Sequence, residues 1–281
     1  MYQCFIIILS LTIFVSCKNE AKNKYATAKI NHLNQYDFDM PSDVIELPKA
    51  LKEISGFSFI NDSVIAVISD SNPYLYFYNI FQRKIINSIE IASGGDFEDV
   101  AVCGDTAFVM QSNGKIWMVA NYNKIPVISF FSLPLTPPFE LEGLCHNQTK
   151  DTLFIAAKYW HEEDNTALNE LPIWAFSIKQ MKLVEEPIFY VSTEIASDKK
   201  KHLFHTSALK KVGNPAFWIV VSTNKKFVAQ LDFNGVKDAI IPLESKEFIQ
   251  PEGIDINSYG TIYISNEGGD GKGTLLAFKK R

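Results

Sequence analysis

The chain has 281 residues, of which 47% are apolar and 13% aromatic, and its formal net charge is −5. Proteins that bind nucleic acid usually present a basic surface, so this mildly acidic composition excludes nucleic acid as the expected partner. The abundance of Phe, Tyr, Ile and Val favours a large core, and residues 36–281 are long enough for one all-β domain.

The N-terminus begins with an apolar segment, residues 5–15, that contains no charged side chain. It has the length of the apolar region of a signal peptide and is too short to span a bilayer comfortably. It ends in FVSC, which resembles a bacterial lipobox with Phe14 where leucine is usual and Cys17 as the lipidated residue. We predict a signal peptide over residues 1–16 and a lipid-anchored, flexible tether over residues 17–35. A plain secretory signal or an apolar anchor is the alternative.

Five short motifs recur along the rest of the chain. Each has a polar residue, any residue, Glu or Ser, usually a small residue, and an apolar residue. The motifs are EISGF (53–57), DFEDV (96–100), ELEGL (140–144), HTSAL (205–209) and QPEGI (250–254). Their third residues are 43, 44, 65 and 45 positions apart. Four short antiparallel strands repeated at a period of about 45 residues are typical of β-propeller blades.

Each repeat is predicted to contain four strands, and its motif opens the first. The second strands are SVIAVISD, TAFVMQS, TLFIAAK, FWIVVST and TIYISNE, and the third are LYFYNI, KIWMVA, IWAFSI, FVAQLDF and LLAFKK. The fourth are IINSIEI, VISFFSL, IFYVS and AIIPL, and the fifth repeat has none because the chain ends. The segment SDVIELP, residues 42–48, precedes the first motif as a fourth strand would. The sequence therefore predicts a five-bladed propeller whose last blade is closed by the N-terminal strand.

A sixth blade would have to lie in the 65-residue interval between the third and fourth motifs. That interval exceeds the preceding one by 21 residues, and the excess divides between two loops, residues 159–171 and 193–202. Neither loop is long enough for a blade, so five blades are expected rather than six.

Polar side chains from all five repeats are predicted to meet at one mouth of the central channel. In a propeller the start of each first strand and the end of each second strand face the same mouth. The first strands place Glu53, Ser55, Asp96, Glu98, Glu140, Glu142, His205, Ser207, Gln250 and Glu252 there. The second strands add Asp70, Gln111, Lys158, Thr223, Asn266 and Glu267. The loop at residues 159–171 is expected to overhang this mouth.

A ring of carboxylates is electrostatically costly unless something offsets its charge. Calcium accepts carboxylate oxygens in loose geometry, so Glu98, Glu142 and Glu252 are the predicted metal ligands. Lys158 would offset part of the charge. In the alternative interpretation, these glutamates accept backbone N–H groups of neighbouring blades and only hold the ring together.

Cys103 and Cys145 remain once Cys4 and Cys17 are assigned to the N-terminal segment. Cys103 lies five residues after the third residue of its motif and Cys145 lies three residues after, so the two are out of register with each other. Neither has a CxxC or metal-ligand spacing, and we expect free thiols rather than a disulfide. His202 and His205 have the spacing of a ligand pair, but no cysteine or third histidine supports zinc.

These motifs together resemble the SdiA-regulated family of bacterial envelope β-propellers. The matching segments are EISGFSF with VISD, DFEDVAV, FELEGL with FIAAK, HTSAL with WIVVST, and QPEGI with TIYISNEGGDGKGTLLAF. They cover nearly all of residues 51–278 in the family's order. The resemblance implies an exported, membrane-anchored propeller and no established reaction.

Three functions are consistent with this pattern. The first is a non-catalytic binding module of the cell envelope, which would meet a small ligand or an envelope protein at the acidic mouth. The second is a calcium-dependent hydrolase of esters, lactones or phosphoesters, with the same glutamates as metal ligands and Asp70 or Glu267 as the base. The third is a structural envelope protein that uses an outer blade face.

Overall fold

A computed structural model describes residues 31–135, 139–147, 151–160, 170–192, 205–213 and 216–281. The predicted signal peptide, Cys17 and residues 17–30 of the predicted tether lie outside the described residues, as does most of the two long loops. In the described part of the chain, no helix has the length and apolar composition needed to cross a bilayer.

The described chain forms five antiparallel sheets, which are the five blades of a β-propeller. A first strand, β1 (Asp43–Glu46), precedes blade 1, which contains β2 (Ile54–Asn61), β3 (Val64–Ser69), β4 (Asn72–Asn79) and β5 (Lys84–Glu90). Blade 2 contains β6 (Phe97–Cys103), β7 (Thr106–Gln111), β8 (Lys115–Ala120) and β9 (Val127–Ser132).

Blade 3 contains β10 (Phe139–Asn147), β11 (Thr152–Trp160) and β12 (Glu170–Ser177), and its outer position is divided between β13 (Lys182–Leu183) and β14 (Phe189–Ser192). Blade 4 contains β15 (Ala208–Val212), β16 (Phe217–Ser222), β17 (Phe227–Leu231) and β18 (Lys237–Pro242). Blade 5 contains β19 (Pro251–Ile256), β20 (Ile262–Asn266) and β21 (Thr274–Phe278). The predicted five-bladed, all-β architecture is confirmed.

The N-terminal strand closes the ring as predicted. β1 is the fourth strand of blade 5 and pairs antiparallel with β21, with Ile45 opposite Leu275. Ile45 is buried among side chains from blades 5 and 1. Closure in this way completes the last blade with residues that lie more than 200 positions away in the sequence.

The motif marks where neighbouring inner strands approach most closely. Its fourth residue faces the next blade: a Cβ on Gly56 would lie 2.6 Å from Asp99 Cα, and one on Gly253 would lie 2.8 Å from Ser55 O. Its fifth residue faces the preceding blade, as Leu144 does in the core between blades 2 and 3. The backbone of the next inner strand therefore requires glycine at positions 56 and 253, whereas blade 2 has Asp99 at the same motif position.

Each pair of neighbouring blades encloses its own apolar core. The five clusters of buried side chains each combine residues from two consecutive blades, and together they complete the circle. Because both faces of every blade pack against a neighbour, strands such as β3 (VIAVIS) and β16 (FWIVVS) are nearly continuous apolar runs rather than alternating ones.

The compact unit begins at Asn31, five residues before the predicted domain start at residue 36. A short 3-10 helix, His32–Gln35, lies against blades 4 and 5. Leu33 is fully buried there, and the His32 ring stacks on Phe217 with ring centroids 4.5 Å apart. The end of the predicted tether is therefore part of the folded unit.

Gly56→Ala is expected to lower the melting temperature, because the added methyl group would collide with the Asp99 backbone and carboxylate. Overpacking of this kind costs about 1–3 kcal/mol, or roughly 2–10 °C for a domain of this size. Thermal unfolding followed by circular dichroism measures the change. Gly271→Ala is the matched control, since its Cβ would meet only Gly268 O at 3.4 Å. Equal melting temperatures for the two variants would contradict the close approach.

Candidate functional site

The sequence-predicted polar residues converge at one end of the channel, which we call the acidic mouth. It is defined by Glu53, Asp70, Asp96, Glu98, Glu140, Glu142, Lys158, His205, Gln250, Glu252 and Glu267. The inner strands that carry the motifs contact one another around the ring, β2 with β6, then β10, β15 and β19, and back to β2. The mouth is therefore built from all five blades.

The third residue of the motif lies in a β-bulge in four blades. Pairing between β6 and β7 passes from Phe97–Gln111 to Asp99–Met110, which leaves Glu98 without an opposite residue. Pairing between β10 and β11 is irregular at Glu142, and β19 is irregular across Glu252. A bulge re-aims side chains and bends the strand. The bulges therefore set the directions in which the side chains of these glutamates point.

Lys158 is the cation at the centre of the mouth. Its ammonium group forms an ion pair with Glu142 and lies 3.3 Å from Glu140 Oε1. Burial alone would lower the pKa of Lys158, but the carboxylates of Glu142, Glu140 and Glu98 outweigh it and hold that pKa above its usual value. Lys158 therefore stays protonated and offsets part of the charge, as predicted from the sequence.

Glu98 and Glu142 are acids whose ionisation is suppressed. Burial, followed by the charges of Glu142, Asp96 and Asp70, raises the pKa of Glu98 to about 9 in spite of Lys158. Burial raises the pKa of Glu142 to about 8, with Glu252 adding to the effect and Lys158 opposing it. Glu142 Oε2 is buried and has no hydrogen-bond partner within the described part of the chain. Among the described residues, the centre of the mouth thus holds more carboxyl groups than Lys158 can neutralise.

Two glutamates of blade 5, Glu252 and Glu267, share a hydrogen-bond donor, and a residue that follows β16 of blade 4 donates to one of them. The Gln250 amide donates to Glu252 Oε1 at 3.0 Å and to Glu267 Oε2 at 2.6 Å, and the Thr223 hydroxyl donates to Glu252 Oε2 at 3.2 Å. Burial raises the pKa of Glu252, although these hydrogen bonds oppose the shift. Burial and then the charges of Glu252 and Asp70 raise the pKa of Glu267 to about 7. The start of β19 and the end of β20 therefore bring Glu252 and Glu267 together.

A second acidic pair lies between blades 1 and 2. Burial, a hydrogen bond with Asp96 and repulsion from Asp96 and Glu53 raise the pKa of Asp70 to about 6. Ser112 donates to Asp96 Oδ2 at 2.6 Å, and Ser71 donates to Glu53 Oε2 at 3.3 Å. A cleft of about 400 Å³ opens beside Asp96 and runs between blades 2 and 3. This side of the mouth has room for part of a ligand.

The other predicted mouth residues have different surroundings. Burial and the charge of Lys158 lower the pKa of His205, so this histidine does belong to the mouth. The Gln111 amide instead donates to Gly94 O at 3.4 Å, in the loop that precedes β6. Asn266 is fully buried at the mouth end of β20, and neither amide atom has a hydrogen-bond partner in the described residues.

Calcium does not fit these side chains as they stand. Lys158 already occupies the position beside Glu140 and Glu142 that a cation would take. Within the described ranges, no group of three or more His, Cys, Asp or Glu side chains has metal-binding geometry. The predicted ligands Glu98, Glu142 and Glu252 are close enough for Glu142 to raise the pKa of Glu98 and for Glu252 to raise that of Glu142. A calcium ion among them would nevertheless require Lys158 to move.

The carboxylates that tie neighbouring blades together are Asp99 and Asp255, which the sequence analysis missed. Asp99 Oδ2 accepts the Leu144 N–H of blade 3 at 2.7 Å, and Asp255 Oδ2 accepts the Phe59 N–H of blade 1 at 2.8 Å. Lys210 forms a buried ion pair with Asp255. A charged residue inside an otherwise apolar inner strand was the signal for both. The structural role proposed as the alternative for the mouth glutamates is thus filled by other residues.

Cys103 and Cys145 are free thiols in the structure, as expected. Burial raises the pKa of Cys145 to about 12, so this thiol is not a nucleophile at neutral pH.

Comparisons with known proteins support the fold and no more. No protein-family model and no curated protein sequence matches this chain. Among solved structures, Myxococcus xanthus glutaminyl cyclase is similar with a TM-score of 0.59 and 10% identity over 85% of this chain and 95% of that one. The luciferin-regenerating enzyme is similar with a TM-score of 0.53 and 8% identity over the same shares. A Bacteroides thetaiotaomicron protein of unknown function matches 80% of this chain and 55% of its own, with a TM-score of 0.55 and 13% identity.

Glu98→Gln is expected to stabilise the protein at alkaline pH and to change little near pH 5. The folded pKa of about 9 lies above the ordinary value of 4.5, so the stability linked to this proton is present below about pH 4.5 and is lost as pH rises towards 9. The amide mimics the neutral acid and does not titrate. Melting temperatures measured from pH 5 to 9 should fall less steeply for Glu98→Gln than for the wild type. The exposed Glu185→Gln is the control, and parallel curves for wild type and Glu98→Gln would contradict the buried acid.

Proposed function

We propose that the protein is an exported, membrane-anchored lipoprotein of the cell envelope and acts as a binding module. Its acidic mouth would take a positively charged group of a small ligand or of an envelope protein. Membership of the SdiA-regulated family, which the quoted motifs favour, is part of the same proposal.

The observation that carries the proposal is the excess of buried acid in the mouth. Lys158 forms ion pairs with Glu140 and Glu142, yet Glu142 Oε2 has no partner among the described residues. Glu98 holds its proton near neutral pH because burial and the repulsion from Glu142 and Asp96 are not fully offset, and burial also opposes the ionised form of Glu142 that pairs with Lys158. A cationic group placed among them would favour their ionised forms, and its binding energy would come from that relief.

A second candidate function is calcium-dependent hydrolysis of an ester, lactone or phosphoester. The observation in its favour is that burial and neighbouring acids place the pKa of Asp70 at about 6 and of Glu267 at about 7, values that suit a general base. The position of Lys158 argues against it, because calcium would have to displace this side chain. The two candidates share a mouth and differ in their dependence on the metal.

Spermine is expected to raise the melting temperature of the chain from residue 18 onward, since its ammonium groups suit the mouth. At a spermine concentration of 100 times Kd the stabilisation is about 2.7 kcal/mol, or about 5–10 °C. Glu142→Gln should abolish most of this shift, whereas Glu185→Gln on the exposed rim of blade 3 should keep it. Titration calorimetry in buffers of different ionisation enthalpy should show proton release at pH 7.

Calcium is the parallel arm of this experiment. A calcium-induced shift that Glu142→Gln and Glu252→Gln abolish, together with hydrolysis of 4-nitrophenyl esters, would support the second candidate. A shift with spermine alone supports the binding module. No shift with either cation would contradict both.

Cys17→Ser is expected to abolish incorporation of labelled palmitate and to release the protein from the membrane fraction of a bacterial host. Cys4→Ser is the matched control, because Cys4 lies within the predicted signal peptide and should be removed with it. Labelling that persists in Cys17→Ser, or is lost equally in Cys4→Ser, would contradict the lipid anchor.

A further inference from the structure

The outer edge of blade 2 is apolar and uncharged. β9 pairs with β8 on one side, and its other side is the edge of the sheet. Its sequence VISFFS contains no charged residue. Val127 and Phe130 are each 58% exposed, Ile128 is 39% exposed, and the preceding Ile125 is 82% exposed. We call residues 125–132 the blade-2 edge.

The ladder that carries this edge is regular. All six residues of β9 have opposite partners in β8, from Val127 with Ala120 to Ser132 with Lys115, without a register shift. A bulge in an edge ladder twists its backbone groups away from an incoming strand. The blade-2 edge lacks that protection along its whole length.

The other blade edges are protected by charge, bulges or shortness. β5 carries Lys84 and Glu90, and its ladder with β4 is bulged. β18 carries Lys237 and Asp238, and its ladder with β17 is also bulged. β1 is flanked by the ion pairs of Arg83 with Asp43 at 2.9 Å and of Lys272 with Glu46 at 2.6 Å. β14 has four residues, and two of them, Phe189 and Val191, are buried.

We propose that the blade-2 edge is a homodimer interface, at which β9 pairs antiparallel with β9 of a second copy of this chain. Pairing about a two-fold axis joins the two blades into one eight-stranded sheet and satisfies the open backbone groups of both edges. Because β9 itself has no charged residue, pairing with its own copy places no like charges of the two strands opposite each other; the Lys115 ammonium, 4.0 Å from the Phe130 ring centroid, belongs to the neighbouring strand β8. A strand with charged ends would require a partner of complementary charge instead.

The register that centres the two-fold axis on Ser129, so that Ser129 lies opposite its own copy, uses nearly the full strand, because residues directly opposite each other must point to the same face of the sheet. In this register Val127 lies opposite Phe131 of the second copy, and Lys124 lies opposite Pro134. Pro126 and Pro134 bracket the segment, so the pairing has natural limits at both ends. No charged side chain of either strand meets a charged side chain of the other.

An adjoining cleft enlarges this interface beyond the strand pair. A cleft of about 720 Å³ lies between blades 2 and 3, where the outer position of blade 3 is divided into two short strands. Pro134 and Leu135 line it from blade 2, and Trp174 and Tyr190 line it from blade 3. The antiparallel register brings the exposed Ile125 of the second copy opposite Leu133, next to Pro134 of the cleft. The cleft thus adds the apolar contact area that a strand pair alone lacks.

Sedimentation velocity tests the proposal. The chain from residue 18 onward is measured at protein concentrations from about 1 to about 100 µM, a range that covers weak dimers. We expect a dimer of twice the chain mass. Ser129→Lys and Ser129→Glu each place two like charges beside the two-fold axis and should weaken dimerisation at least tenfold. An equimolar mixture of these two variants should restore a dimer, because unlike charges then meet. Ser88→Lys on the exposed part of β5 is the matched control and should not change the mass.

Hydrogen exchange measured on the wild type provides a second readout that needs no substitution. Amides of Val127–Ser132 should exchange more slowly at high protein concentration than at low concentration. A monomer at every concentration would overturn the proposal. A dimer that both Ser129 variants retain, or that their mixture does not restore, would also overturn it.

Discussion

The close approach of five inner strands around a narrow channel is the constraint on which the rest of the structure depends. It requires glycine at the fourth motif position in blades 1 and 5, at Gly56 and Gly253, while Asp99 at the same position of blade 2 reaches the next inner strand. It also gathers the third positions of all five motifs at one end of the channel. The same geometry that closes the ring therefore concentrates Glu98, Glu142 and Glu252 in a buried space, and the chemistry of the mouth is a consequence of closure.

The protein separates two uses of buried acid along this channel. Asp99 and Asp255 accept backbone N–H groups of neighbouring blades, and Asp255 also has Lys210, so their hydrogen bonds are satisfied within the framework. Glu98 and Glu142 instead lie in bulges of their ladders, and the charge of Lys158 acts on both of them. The two groups of acids thus differ in their partners: Asp99 and Asp255 bond to the backbone of a neighbouring blade, whereas Glu142 pairs with a side chain of the mouth. They do so although Asp99 lies next to Glu98, and Asp255 three residues from Glu252, in the sequence.

The repeat made the architecture predictable, because a period shared by five motifs reports strand order, blade number and ring closure at once. It also predicted which side chains meet at the mouth, since equivalent positions of a propeller converge. The bulges at Glu98 and Glu142 could not be predicted, because an extra residue in a ladder leaves no compositional mark. The roles of Asp99 and Lys210 were missed for a related reason: they depend on contacts between blades, which one sequence does not display.

Closure by β1 has a consequence for the order in which the molecule folds. β1 is made before the other strands, and β21, the strand it pairs with among the described residues, is made after them. Because chains are synthesised from the N-terminus at a finite rate, blades 1 to 4 can form while blade 5 is still incomplete. During that interval β1 is an unsatisfied strand, and so is the inner face of blade 1 that awaits blade 5. The pairing of Ile45 with Leu275 is therefore a contact of very long sequence separation, and contacts of this kind form slowly, which makes ring closure a late step of folding.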